Sequence, residues 1–183
     1  MSLDTVPIID ISPFLSGDPA GKKAVADAVA AACTDIGFFA ISGHGVDQHL
    51  VEDLREASHS FFEQPEPVKR ETVHPIPDTP RGLRVMEGES LGRTVRPDAT
   101  PDLKEFYHYG PQDWPDEPYF NGPEGKQYFI PNIWPDKPAS FREASLAYYA
   151  EMERLIHYLG RIASMALGLP ENWFEDKLDK HVT

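Results

Sequence analysis

The architecture of this 183-residue chain is set by two runs of residues, Val6-Pro-Ile-Ile-Asp-Ile-Ser12 and Asp35-Ile-Gly-Phe-Phe-Ala-Ile-Ser-Gly-His-Gly-Val46. Each contains a short apolar stretch rich in β-branched or aromatic residues and bounded by Pro, Gly or Ser, which is typical of a buried strand. Between them, apolar residues recur at spacings of three and four, with Asp18 as N-cap and Pro19 at the first helical position. The pattern predicts strand, helix, strand.

Two proline-rich segments and one long periodic segment make up most of the remaining sequence. Pro65–Pro80 contains five prolines and Pro111–Pro138 contains seven. Because proline lacks an amide hydrogen, both segments are predicted to be loops. The six aromatic residues of the second segment predict that it packs onto the fold rather than remaining disordered. Residues 138–168 predict one long helix, and Pro170 favours a short helix over 170–180.

A series of blocks in this order resembles the N-terminal region of the non-haem iron oxygenases related to isopenicillin N synthase. The blocks are Val6–Ser12, Gly37–Val46, a helix ending at Phe61 and Phe62, Pro101–Pro111, Asn132–Pro135, and the long helix ending in Ala166–Pro170. The resemblance implies an α+β fold, in which a short-stranded incomplete sheet is flanked by helices as the N-terminal part of a double-stranded β-helix (jelly-roll) oxygenase. We expect one N-terminal domain over 1–183, with strand-helix-strand-helix over 6–64 and a loop and strand region over 65–137.

The chemistry implied by the resemblance is hydroxylation or desaturation of a small metabolite by an enzyme that uses Fe(II) and 2-oxoglutarate. In that family a His-x-Asp pair and a distant His hold the iron, and an Arg-x-Ser pair anchors 2-oxoglutarate. None of the seven histidines here has Asp or Glu two positions after it, and no arginine has Ser two positions after it. The chain is therefore predicted to contain no catalytic or metal-binding residue, to bind neither cofactor and to be inactive alone. The iron site is expected in a C-terminal jelly-roll half beyond a truncation point at Thr183.

The segment Asp102–Tyr109 is the strongest candidate for contact with a ligand. Strand alternation places Phe106 and His108 on one face and Tyr107 on the other. In the resembling enzymes this strand borders the substrate pocket, which makes Phe106, Tyr107 and His108, together with Arg84, the predicted substrate-binding residues. The alternative is that both aromatic residues belong to the core and that His108 is solvated or hydrogen-bonded.

Two other functions remain open alongside the N-terminal portion of an oxygenase. One is a stand-alone, non-catalytic binding or regulatory module, which would show a polar outer face on the long helix. The other is a subunit whose active site is completed in trans by a second, jelly-roll chain. The expected partners are thus a small-molecule substrate and either the C-terminal half of the same protein or that second chain.

Composition narrows the classes of partner and compartment. The formal net charge of −13, from 30 acidic and 17 basic residues, argues against nucleic acid as a partner. There is neither a long apolar run nor a secretory signal pattern, so we expect no membrane partner and a cytoplasmic location. Cys33 lies in an apolar helical stretch and is expected to be buried. His44, between two glycines, is expected to make a local hydrogen bond rather than to bind metal.

Overall fold

The computed structural model describes residues 5–86 and 91–182 and divides the chain into two compact units. Unit 1 comprises Met1–Val51 with Leu146–Lys180, and unit 2 comprises Glu52–Ser145 with His181–Thr183. The sequence predicts one domain over 1–183 and carries no signal of this division. Each unit has a hydrophobic cluster of its own, and the main divisions fall inside helices, where a sequence carries no linker signal.

Unit 1 contains a two-stranded parallel sheet joined by a helical crossover. Its elements up to the second strand are β1 (Ile8–Asp10), α1 (Ser12–Leu15), α2 (Pro19–Asp35) and β2 (Ala40–Ser42). Ile9 lies opposite Ile41 in the register. Asp18 begins α2 as its N-cap, since its Oδ2 accepts a hydrogen bond from the Gly21 amide at 2.7 Å. This is the order that the sequence pattern predicts.

The turn after β2 requires the residue types found at positions 10 and 43, Asp10 and Gly43. Asp10 Oδ1 accepts a hydrogen bond from the Ser12 amide at 2.9 Å, and this bond lowers the pKa of the Asp10 carboxyl. Gly43 has φ +64, and a Cβ there would lie 2.1 Å from the same Oδ1. Only glycine allows so close an approach in this conformation. The next residue, His44, accepts a hydrogen bond at Nδ1 from the Val46 amide at 3.1 Å, which confirms its predicted local role.

The core of unit 1 forms between the sheet, α2 and part of the longest helix, α7 (Ser140–Ala166). Its buried residues are Ile9, Ile11, Phe14, Val25, Val29, Ala32 and Ile162. Cys33 lies outside this core and is exposed, so the prediction that it is buried is wrong. Cys33 follows the buried Ala32 by one position, which is about 100° around the helix and away from the core face.

The segment after α7 corrects the prediction of a short helix over 170–180. Gly168, with φ +71, ends α7, and the only helical turn that follows in unit 1 as described is a 3₁₀ turn, Glu175–Lys177. Backbone bonds there join residues three apart, as from the Lys177 amide to the Phe174 carbonyl at 3.0 Å. A segment this short rarely sustains an α-helix without tertiary support. It is tied down by side chains instead, including a Lys22–Glu171 ion pair at 2.7 Å.

Unit 2 holds the second small sheet, an antiparallel hairpin, and four helices or parts of helices before α7. The elements are α3 (Gln48–Phe62), which begins in unit 1, then α4 (Glu66–Arg70), β3 (Gly82–Arg84), a 3₁₀ turn (Leu91–Thr94), β4 (Phe106–His108), α5 (Pro118–Asn121) and α6 (Gly125–Tyr128). The proline-rich segments are therefore not pure loops as predicted. They contain helices of four or five residues, and Pro67 and Pro118 lie in the first turns, where the missing amide hydrogen costs nothing.

Unit 2 is rich in aromatic packing. Phe61 is 1% exposed, and its ring centroid lies 5.0 to 5.2 Å from those of Phe62, Tyr107 and Phe141. A second group forms within the later proline-rich segment and consists of Trp114, Tyr119, Phe120 and Phe129. Phe120 and Phe129 are buried, which confirms that this segment packs down. The first group packs against Tyr107 of β4.

Within residues 5–86 and 91–182, none of the helices has the length and apolar character needed to cross a bilayer.

Candidate functional site

The hairpin of β3 and β4 brings three of the four predicted substrate-binding residues to one cavity. Arg84 lies opposite Phe106 in the antiparallel register, and His108 lies opposite Gly82. Directly opposed residues project from the same face of a sheet, so Arg84, Phe106 and His108 share a face. They line a cavity of about 360 Å³ together with Asp78, Pro80, Tyr128 and Val182.

The cavity combines aromatic surface with a cation. The rings of Phe106 and His108 have centroids 4.8 Å apart and are tilted by 53°. Lys104 precedes β4, and its Nζ lies 5.2 Å from the centroid of the Phe106 ring. Arg84 is partly buried and donates one hydrogen bond from Nη2 to the Thr79 carbonyl at 2.8 Å.

Tyr107 lies on the opposite face of the hairpin, as the alternation predicts, and so it does not line this cavity. Its ring packs against Phe61 and Phe141, and its hydroxyl donates a hydrogen bond to the Ile133 carbonyl. Burial raises the pKa of the Tyr107 hydroxyl well above its ordinary value. This placement suits the core alternative given above, and the substrate-binding role of all four residues stays a prediction.

The raised pKa of Tyr107 leads to a prediction about alkaline stability. The folded state favours the neutral phenol of Tyr107. Its contribution to the stability of the fold is therefore complete below the unfolded pKa of 10.0 and is lost as pH rises further. We expect the free energy of unfolding, measured by urea titration, to fall above pH 10. The Tyr107→Phe variant should lose about 1 kcal/mol of stability near neutral pH from the missing hydrogen bond.

Above the unfolded pKa, the free energy of unfolding of Tyr107→Phe should fall less steeply with pH than that of the unmodified protein. The difference in slope should reach up to about 1.4 kcal/mol per pH unit. Tyr119→Phe, which removes a hydroxyl from a half-exposed ring, controls for the substitution itself. Equal slopes for the unmodified protein and Tyr107→Phe would contradict the prediction.

A buried ion pair anchors the start of β4. Lys69 is 7% exposed, and its Nζ lies 2.7 Å from each carboxylate oxygen of Glu105. The hydrogen bond to Glu105 raises the pKa of Lys69. As pH rises past the unfolded Lys pKa of 10.5, the stabilisation that Lys69 gives through this pair is lost, in the same direction as the contribution of Tyr107.

Arg81 and Gly110 fix the other end of the hairpin. Arg81 is 1% exposed, and its Nε and Nη1 donate to the carbonyls of Ile130 and Pro80 at 3.2 and 2.7 Å. A Cβ on Gly110 would lie 2.4 Å from Arg81 Nη2. The side chain of Asn132 closes the arrangement by exchanging two hydrogen bonds of 2.9 Å with the Gly110 backbone. These contacts give a physical reason for the Gly and Asn in two of the sequence blocks.

A second cavity adjoins the first and extends its aromatic surface. Its volume is about 480 Å³, and it shares Tyr128 and Val182 with the first cavity while adding Tyr119 and Phe129. Asp78, Tyr128 and Val182 also line the first cavity and are not among the residues predicted from the sequence. Tyr128 carried a usable signal, because it belongs to the aromatic-rich segment, whereas Asp78 and Val182 meet the hairpin only through tertiary contacts.

The part of the chain that the structure describes does not bring together a site for Fe(II). In the ranges 5–86 and 91–182, no three His, Cys, Asp or Glu side chains come together in a way that could hold a metal ion. A facial triad needs two imidazoles and a carboxylate on a rigid scaffold. No catalytic step is therefore assigned to a metal held by these residues.

Comparison with known proteins identifies the family. Residues 6–137 match the model of the N-terminal domain described as non-haem dioxygenase in morphine synthesis. Clavatol oxidase from Penicillium crustosum is 35% identical over 175 residues, which cover 90% of this chain and 50% of that protein. Isopenicillin N synthase from Streptomyces clavuligerus is 32% identical over 177 residues, which cover 94% of this chain and 50% of the enzyme.

Solved structures show the same fold. A full-length protein from Neurospora crassa, solved in complex with alpha-KG, has a TM-score of 0.73 at 24% identity, covering 95% of this chain and 51% of that one. A putative 2OG-Fe(II) oxygenase family protein from Caulobacter crescentus has a TM-score of 0.74 at 18% identity, covering 94% and 52%. The chain thus spans about half the length of these relatives. It belongs to the non-haem dioxygenase family of 2-oxoglutarate and Fe(II) oxygenases, whose N-terminal domain it matches.

Proposed function

We propose that this chain is the N-terminal portion of a non-haem Fe(II)- and 2-oxoglutarate-dependent oxygenase that hydroxylates or desaturates a small metabolite. The observation that carries the proposal is the match of 90% of this chain to only 50% of a relative named as an oxidase. The iron and 2-oxoglutarate would bind in a C-terminal jelly-roll half, and this chain alone would be inactive. Its own contribution would be to bind substrate at the cavity of Arg84, Phe106 and His108.

Exposed apolar residues of unit 1 support a further half that packs against this chain. Ile8 is 72% exposed and Phe38 is 59% exposed, although both belong to the strand segments of the small sheet or lie beside them. On α7, Ile156 is also exposed, so the outer face of this helix is not purely polar. These side chains are available to a jelly roll in cis or in trans, and Ile156 does not match the polar outer face expected of a stand-alone module.

The test begins with the intact mass of the protein purified from its own cells, compared with the 20.5 kDa of this chain. We expect a species about twice as long, as in the relatives, or a copurifying jelly-roll chain. That preparation should convert 2-oxoglutarate to succinate only when Fe(II) is added, and the 183-residue chain at the same concentration should not. A native mass of 20.5 kDa without a partner would overturn the proposal and favour a non-catalytic module.

A further inference from the structure

Arg84 differs from Arg70, Arg154 and Arg161 in what surrounds its guanidinium. Arg70, Arg154 and Arg161 each lie within ion-pair distance of a glutamate. Across residues 5–86 and 91–182, no carboxylate comes within 4.0 Å of Arg84 in this way, and its hydrogen bond goes to a backbone carbonyl. A guanidinium offers five donors in a planar fork, and towards the described residues Arg84 uses one of them, on Nη2, for the Thr79 carbonyl.

The geometry of the guanidinium fork suits a carboxylate. Two parallel N–H groups can donate to both oxygens of a carboxylate, and such charge-assisted pairs are roughly twice as strong as neutral hydrogen bonds. Partial burial of Arg84 strengthens the interaction, because less water competes for the donors. Arg84 would also repel a cationic ligand from the same cavity.

The walls of the cavity suit a flat, apolar body attached to that carboxylate. Phe106 and His108 present tilted rings on one side, and Tyr128 joins this cavity to the second one. The two volumes, about 360 and 480 Å³, lie in the range of small-molecule sites. Aromatic rings favour offset or edge-to-face contacts with another ring, which adds to the area they bury.

Asp78 also lines the cavity, and its negative charge affects which charge the ligand can carry. It is exposed, so water screens its repulsion of an anion. Arg84 is partly buried and gains more from a counter-ion than a solvated carboxylate loses. Lys104, whose Nζ lies 5.2 Å from the centroid of the Phe106 ring, is itself paired with Asp102 at 3.7 Å and leaves Arg84 as the cation that lines the cavity.

We propose that this cavity binds a small aromatic carboxylic acid, with its carboxylate on the Arg84 guanidinium and its ring against Phe106 and Tyr128. The inference rests on the proposed function in one respect: the acid would be the substrate class of the oxygenase. Binding itself requires only the residues of this chain.

The experiment titrates the full 183-residue chain with 3-phenylpropanoate and follows backbone amide shifts by NMR. The neutral amide of the same acid and hexanoate serve as matched ligands. We expect 3-phenylpropanoate to bind about tenfold more tightly than either, since one charge-assisted pair or one ring contact accounts for a difference of that size. The largest shifts should fall on residues of β3 and β4.

Arg84→Gln should weaken binding of the acid about tenfold and leave binding of the amide unchanged. The affinity of Arg84→Lys for the acid should lie between those of the unmodified chain and Arg84→Gln. Arg142→Gln removes an exposed arginine from the first turns of α7 and should change neither affinity. The comparison of acid with amide on the unmodified chain gives the same information if Arg84→Gln does not fold. Equal affinity for acid and amide, or no saturation by about 10 mM acid, would overturn the inference.

The outcome separates this inference from the proposed function. If the native protein shows Fe(II)-dependent turnover of 2-oxoglutarate but the acid binds equally to Arg84→Gln, the inference fails and the oxygenase assignment stands. If the acid binds through Arg84 and no such turnover is found, the site stands and the oxygenase assignment fails.

Discussion

Replacing Gly82 with alanine should lower the free energy of unfolding by about 3 kcal/mol, the sum of left-handed backbone strain and a steric clash. Gly82 has φ +76, and a Cβ there would lie 2.3 Å from the carbonyl oxygen of Thr72. That oxygen cannot move aside freely, because it accepts a hydrogen bond from the Leu83 amide at 3.0 Å. The substitution would therefore disturb β3 and the face that carries Arg84. Urea unfolding followed by circular dichroism measures the loss.

Gly168→Ala is the matched control for this prediction. Gly168 has φ +71, close to that of Gly82, but no atom lies within 4 Å of the place where its Cβ would be. It should therefore cost only the backbone strain, about 1 to 2 kcal/mol. The difference between the two variants isolates the clash with Thr72. A loss at Gly82 no larger than that at Gly168 would show that the hairpin relaxes without cost.

Phe61→Ala should destabilise the protein by about 3 to 5 kcal/mol, as expected for a large aromatic side chain removed from a packed interior. Phe61 is 1% exposed and contacts the rings of Phe62, Tyr107 and Phe141. The resulting cavity cannot collapse easily, because its neighbours are rings held by further contacts. Chemical denaturation gives the difference, and near-ultraviolet circular dichroism should show weaker aromatic signals.

Phe38→Ala provides the comparison at an exposed position. Phe38 is 59% exposed, so the same substitution should change the free energy of unfolding by much less than at Phe61. Phe61→Leu should recover part of the loss, since it retains most of the apolar volume. A similar loss at Phe38 and Phe61 would mean that the aromatic cluster of unit 2 is not the main source of its stability.

The sequence predicts those features of the fold that depend on residues only a few positions apart. Asp18 and Pro19 indicated where α2 begins, and the prediction for His44 is confirmed because its hydrogen bond spans only two residues. Strand alternation alone also predicts that Phe106 and His108 lie on one face of β4 and Tyr107 on the other. Each of these depends on backbone geometry over a few positions.

The features that the sequence did not reveal depend on contacts between distant residues. The apolar character of α2 predicts a buried Cys33, yet Cys33 is exposed because only one stripe of α2 faces the core. The segment 170–180 carries a helix-like pattern, but it is held in turns by partners such as Lys22. Asp78 and Val182 reach the cavity through the path of the chain, for which the pattern of residue types gives no signal.

The division of the chain also has a consequence for the order in which it is synthesised. Unit 1 consists of Met1–Val51 and Leu146–Lys180, so β1, α2 and β2 leave the ribosome before the part of α7 that supplies Ile162 to their core. At translation rates of about 5–20 residues per second, the intervening residues take roughly 5 to 20 s to make. During that interval Val25 and Val29 have an incomplete core, whereas residues 52–145 emerge without interruption. We expect nascent chains to recruit chaperones to the first segment until α7 has been translated.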